Sequence, residues 1–206
     1  MPIERAIVRS EAFNPDAEYP FELRQIDFEA AMQDAYDFFF DMNTGLRAKG
    51  LARLDEMLRP ANMSGVITDM LSASVAKHSR TLAVNAYHNG HPDLVVGGVY
   101  PNNSIKSGDR GVEIKTTRKP GGAVDSHGAR KQLLCVFVYE LDNETEPAQE
   151  RRPMVFREVY LGPVDLDDYR RNDRGELGTR TATLDAAGLK KFRKSWIYLD
   201  PPPGKE

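Results

Sequence analysis

Two carboxylates and an ammonium stand out by type and spacing. Asp93 directly follows Pro92, and Glu113 and Lys115 flank Ile114, with nineteen residues between Asp93 and Glu113. If the two short motifs lie on neighbouring β-strands, the three charged groups meet. Carboxylate oxygens of this kind suit Mg²⁺, a hard cation that takes a few protein oxygens and keeps several waters. An ammonium beside them offsets negative charge that develops in a transition state. The outline is that of divalent-metal hydrolysis.

The flanking residues supply the strands. In Gly111-Val-Glu-Ile-Lys-Thr-Thr117, Val112, Ile114 and Thr116 fall on one face, Glu113 and Lys115 on the other, because successive side chains of a strand alternate. Leu133 to Tyr139 is almost wholly apolar, needs cover on both faces, and so predicts a central strand. Charges beside a buried strand require partners or a metal. Upstream, Thr81 to Tyr87 reads as a strand and Asn89-Gly90 as a tight turn. The returning strand then begins at Asp93.

At these residues the chain resembles the PD-(D/E)XK nuclease superfamily, the group that holds most type II restriction endonucleases. The match is Pro92-Asp93 followed by Glu113-Ile114-Lys115. It implies an α/β (α+β) fold with a restriction-endonuclease-like central mixed sheet of about five strands flanked by helices, its core spanning roughly residues 63–140. It further implies Mg²⁺, or Mn²⁺ in its place, held by Asp93, Glu113 and the Ile114 carbonyl, with Lys115 orienting or activating water. Glu56 or Asp69 is then the upstream helical carboxylate that serves some relatives as an auxiliary ligand, and Gln132 a supporting polar residue. Many relatives follow the Glu-X-Lys strand with a helix, whereas residues 118–132 here are glycine-rich and loop-like. The implied activity is hydrolysis of DNA phosphodiester bonds by a restriction or defence endonuclease. The alternatives are a repair, recombination or RNA-directed member, or a catalytically idle nucleic-acid-binding module. An intact Asp, Glu and Lys argues against idleness, since unpaired charges beside a buried strand are costly.

Composition bounds the remaining choices. At 206 residues with 40% hydrophobic and 29% charged, the chain suits one globular domain with a full core: a helical part over about 25–80, a catalytic core over about 81–140, and a strand and helix elaboration over about 150–200. With no apolar run near 18 residues and no signal-like start, a cytoplasmic protein is expected. The single Cys135 rules out an internal disulfide and reads as a small core hydrophobe. His78, His88 and His91 have no second ligand pair at zinc spacing. A net charge of −3 is unusual for a phosphate-gripping protein, so any positive cleft must be local. Lys106, Arg110, Arg118, Lys119, His127, Arg130 and Lys131 flank the motif as candidate contacts to double-stranded DNA. Residues 101–111 are either a solvated connection or a substrate-contacting loop.

Along the rest of the chain, residues 1–24 read as an irregular lead-in. A helix with Asp27 as N-cap carries Phe28, Ala31, Met32, Ala35, Phe39 and Met42 on one stripe and stops near Thr44-Gly45. A short helix over Leu51–Leu58 is closed by Pro60, and another is capped by Asn62 or Ser64 and ends near His78. Met154–Leu161 reads as a strand, Leu166–Arg171 as a helical turn, Arg171–Gly178 as exposed, Thr183 onward as the start of a helix over 185–194, and Ser195–Leu199 as a closing strand. Cutting both strands of a palindromic site calls for two protomers about a two-fold axis. The aromatic run Tyr36, Phe38, Phe39 and Phe40 predicts a homodimer patch within residues 28–42, with a core-only helix as the alternative.

Overall fold

A computed structural model describes residues 3–126, 128–172 and 181–200. Among them, three helices come first: α1 (Gln25–Ala48), α2 (Leu54–Met57) and α3 (Pro60–His78). The strands follow: β1 (Leu82–Val84), β2 (Leu94–Val96), β3 (Gly111–Thr117), β4 (Asp125–Ser126), β5 (Gln132–Glu140), β6 (Val155–Val164), β7 (Tyr169–Asn172) and β8 (Thr181–Leu184). Helix α4 (Ala186–Phe192) and strand β9 (Trp196–Leu199) close the chain. A mixed sheet of six strands, in the order β1-β2-β3-β5-β6-β9, divides two layers of cover. Within it β3 and β5 are parallel and the other neighbours antiparallel.

Side-chain alternation on β5 sorts the two layers. Cys135, Phe137 and Tyr139 join Ile114, Phe28, Met32, Ile67, Leu71 and Phe156 in the larger core, beneath α1 and α3. Leu134, Val136 and Val138 face the other way and join Val124, Tyr160, Leu184 and Phe192 in a smaller one. That second cover consists of α4 and a small sheet in the order β4-β8-β7. The expectation of about five strands thus becomes six, and the separate small sheet was not foreseen. Its strands have two to four residues each, too short for periodicity to register.

Several element ends differ from expectation for local reasons. Asp27 sits at the third helical position of α1 rather than at its cap. Its carboxylate accepts from the Arg24 backbone N–H at 2.9 Å, which closes a capping box on Arg24. The helix also runs through Thr44-Gly45 to Ala48 and stops before Gly50, whose φ of 72° is easy only for glycine. Helix α3 starts at Pro60, because proline suits the first helical position, where no N–H partner is needed. Thr183 lies in β8, not in a helix. Asp185 caps α4 by accepting from Gly188 N–H at 2.8 Å, and a 3₁₀ turn, Arg193–Ser195, extends it into β9. Leu166–Asp168 does form a helical turn, but β7 then begins at Tyr169.

The irregular lead-in packs onto the core. Val8, Phe13 and Leu23 are buried, the Phe13 ring meets Tyr198 at 4.9 Å, and Asn14 N–H donates to Ile197 at 3.0 Å. The aromatic run on α1 is likewise accounted for inside the chain. Tyr36 and Phe39 are buried, with Tyr36 stacked on Phe156 at 5.3 Å, and Phe38 and Phe40 are half-buried. Of the expected homodimer patch, the part still open to solvent is the half-buried pair Phe38 and Phe40. Among the described residues, no helix is long and apolar enough to cross a membrane.

Candidate active site

The site forms where the β1–β2 hairpin returns against β3. Leu94 pairs with Val112 and Val95 with Gly111, so Asp93 arrives beside Glu113 on the same face of the sheet. Gly111 permits this closeness, since a Cβ there would lie 1.9 Å from the Leu94 carbonyl oxygen. At the hairpin tip Gly90 is equally constrained, because a Cβ would lie 2.5 Å from both the Asn85 amide and the Ile105 carbonyl. Asn85 directly follows β1 and ties the region together. Its amide nitrogen donates to the carbonyls of Pro92 (2.9 Å) and Ile105 (2.8 Å), while its oxygen accepts from Tyr87 N–H and Ile105 N–H. Strand pairing and this one side chain therefore fix the segment that presents Asp93.

Three charged side chains converge as their spacing suggested, and a fourth residue joins them. Asp93 Oδ2 accepts from the Ile114 backbone N–H at 2.8 Å. Glu113 Oε1 accepts from Lys115 Nζ at 2.5 Å, and Glu113 Oε2 accepts from His91 Nδ1 at 2.8 Å. His91 and Glu113 are both buried. Sequence reasoning placed His91 near Asp93, yet its ring reaches across to Glu113. Only its position next to Pro92-Asp93 signalled it. Asn85 was also missed, although an Asn inside an apparent strand is uncommon enough to ask what it binds.

These contacts split the two carboxylates electrostatically. Burial and the nearby Glu113 charge push the Asp93 pKa from an ordinary 3.8 up to about 6, against the pull of Lys115 and the Ile114 N–H. Burial also pushes Glu113 upward, but the His91 hydrogen bond and the Lys115 charge outweigh it and hold its pKa at about 2. Burial and the Glu113 charge thus favour the protonated form of Asp93, while His91 and Lys115 favour the ionised form of Glu113. Carboxylates perturbed in this way within a cleft make it a candidate functional site.

The cleft over these groups has a volume of about 600 Å³ and is lined by Asp93, Glu113 and Lys115 with Lys106, Arg130 and Gln132. Lys106 comes from the 101–111 segment, which is held in place rather than loosely solvated: Tyr100 Oη accepts from the Asp109 and Arg110 N–H groups at 3.1 Å each. Arg130 comes from the crossover between β3 and β5, where β4 stands in place of a helix, and Gln132 opens β5. The Gln132 amide nitrogen donates to Tyr169 Oη at 2.8 Å, and its buried Oε1 has no partner among the described residues.

The remaining candidates lie elsewhere. Glu56 is on α2 beside Arg53 and Arg151, at 4.0 and 3.8 Å, and lines a different cavity. Asp69 is exposed on α3, a helix whose Thr68 hydroxyl meets Thr116 on the opposite face of β3 from Glu113. Neither can serve as an auxiliary ligand in this arrangement. Arg118 and Lys119 lie beyond the end of β3, and Arg118 lines a separate cavity with Tyr139 and Arg157. Lys131 pairs with Asp165 at 3.6 Å, Arg110 is exposed outside the cleft lining, and His127 lies outside the described residues. His78 binds Asp34 at 2.9 Å between α1 and α3, away from the cleft.

Among the described residues, no group of three or more His, Cys, Asp or Glu side chains is arranged to hold a metal ion. A hard cation that keeps most of its waters needs less: two carboxylates suffice, and it would stabilise the Asp93 charge that burial and the nearby Glu113 disfavour. The chain thus belongs to the mixed α/β proteins, with a buried Glu113, a half-buried Asp93 and a basic rim in one cleft. Comparison with protein-family models, curated proteins and solved structures finds no match.

Proposed function

We propose that this chain is a divalent-metal-dependent nuclease of the PD-(D/E)XK type that hydrolyses phosphodiester bonds of double-stranded DNA. The observation that carries the proposal is the convergence of Asp93, Glu113 and Lys115 on one face of neighbouring strands, under a rim that includes Lys106 and Arg130. Asp93 and Glu113, with the Ile114 carbonyl, would hold Mg²⁺ or Mn²⁺. When bound, the metal supplies a Lewis acid and lowers the pKa of its water. Lys115, already at the carboxylate edge, places a positive charge where the attacked phosphate becomes more negative. Lys106 and Arg130 bind phosphates along the strand, a contribution that weakens with salt. A restriction or defence role, with two copies acting on the two strands, is the finer form of the proposal.

One observation favours a second reading, an idle nucleic-acid-binding module. Both Glu113 oxygens already have donors, His91 and Lys115, so that carboxylate is satisfied without a metal. Asp93 argues the other way, since burial and the neighbouring Glu113 charge disfavour its ionised form, which a cation would stabilise. The discriminating experiment incubates the purified protein with unmethylated plasmid, linear genomic DNA and RNA, in Mg²⁺, Mn²⁺, Ca²⁺ or EDTA. DNA cleavage is expected in Mg²⁺ and Mn²⁺ and lost in EDTA and in Asp93→Ala, Glu113→Ala and Lys115→Ala. DNA binding without cleavage in any metal leaves the binding module. Cleavage of RNA alone, or turnover in EDTA, overturns the proposal.

A further inference from the structure

We infer that His91 is a positioning residue: it fixes the orientation of the Glu113 carboxylate through its Nδ1–H, as the second of two anchors. The first anchor, Lys115, takes Oε1. A lysine is a poor sole anchor, because its ammonium sits on a flexible four-carbon stem and bonds without a fixed plane. His91 takes Oε2 at 2.8 Å from a rigid ring. Its main chain is clamped on both sides, with N–H donating to the Lys106 carbonyl at 3.2 Å and the carbonyl accepting from Gly108 N–H at 2.8 Å. Asn85 in turn joins Ile105 of that segment to Pro92. With both oxygens held, the carboxylate has one orientation. A carboxylate oxygen only accepts, so the hydrogen of this bond lies on His91 Nδ1.

The geometry sets up a substitution pair that separates positioning from bulk. An asparagine at 91 keeps an N–H donor close to where Nδ1 lies, whereas a glutamine carries its donor farther out, near the position of Nε2. The consequence for metal binding and turnover rests on the nuclease proposal; the hydrogen bond itself does not. Three measurements follow. In the metal-free, substrate-free wild type at pH 8, ¹⁵N spectra should show the Nδ1–H tautomer of His91, and Glu113→Ala, which removes the acceptor, should change it. Mn²⁺ affinity, read by electron paramagnetic resonance, should fall about 10–100-fold in His91→Gln and His91→Ala, the usual effect of losing such an outer partner, and stay near wild type in His91→Asn. Turnover should follow the same order through kcat, with KM for DNA unchanged.

An Nε2–H tautomer in the wild type overturns the inference whatever the variants do, including any that fail to fold. So does equal loss of Mn²⁺ affinity in His91→Asn and His91→Gln with both folded, or no loss in His91→Ala. A wild type that neither binds Mn²⁺ nor cleaves DNA defeats the nuclease proposal instead, and the tautomer then decides the positioning role alone.

Discussion

Asp93→Asn should stabilise the metal-free protein while abolishing cleavage, and the gain should depend on pH. The wild-type carboxyl is held up to about 6 from 3.8 by burial and by Glu113. Raising a carboxyl pKa on folding favours the native state while the group is protonated. That advantage is complete below pH 4 and is lost as pH rises through 6. At about 1.4 kcal/mol per pH unit, the loss is up to about 3 kcal/mol at pH 8. Asparagine keeps an oxygen to accept the Ile114 N–H that Asp93 now binds, and it carries no charge to repel Glu113. Urea unfolding in EDTA should therefore show Asp93→Asn more stable than wild type by up to about 3 kcal/mol at pH 8, or roughly 5–10 °C in Tm, and near wild type at pH 4. Mg²⁺ should stabilise the wild type at pH 8 and leave Asp93→Asn unchanged. A variant equally destabilised at both pH values would refute the repulsion between Asp93 and Glu113, and with it the electrostatic case for a cation.

Lys106→Ala and Arg130→Ala should each lower the salt dependence of DNA binding by about one ion, whereas Arg118→Ala and Lys131→Ala should not; titration of fluorescent duplex at several salt concentrations checks this, and a uniform effect of all four would dissociate the cleft from the binding face. Tyr36→Phe should cost about 1–3 kcal/mol by leaving unpaired the Phe156 N–H that its hydroxyl now accepts at 2.7 Å, a loss that urea unfolding measures directly. Light scattering should find a homodimer on cognate DNA if both strands are cut together. A monomer that only nicks would limit the proposal to single-strand cutting, and Phe38→Ser and Phe40→Ser tell whether the half-buried α1 aromatics contribute.

The sequence alone determined that Asp93, Glu113 and Lys115 belong together. Period-two alternation put Glu113 and Lys115 on one side of β3, and the apolar run of β5 marked its centre. The turn at Asn89-Gly90 returned the chain at Asp93. Those are local properties, set by backbone geometry over a few residues. The sequence did not determine which other groups reach the cleft, because proximity there comes from packing across the fold. Helix α3 lies on the Thr116 side of β3, which removes Asp69. Helix α2 sits beside Arg151, which removes Glu56. Lys115 shares Glu113 with His91 only because Asn85 and the 101–111 segment hold that ring in place. The small sheet of β4, β8 and β7 brings Gln132 against Tyr169, a contact between residues far apart in sequence. Basic residues near the motif in sequence divide in the same way: Lys106 and Arg130 reach the cleft, while Arg118 and Lys131 project elsewhere. Strand periodicity fixes the face on which a side chain emerges, but tertiary packing decides what faces it.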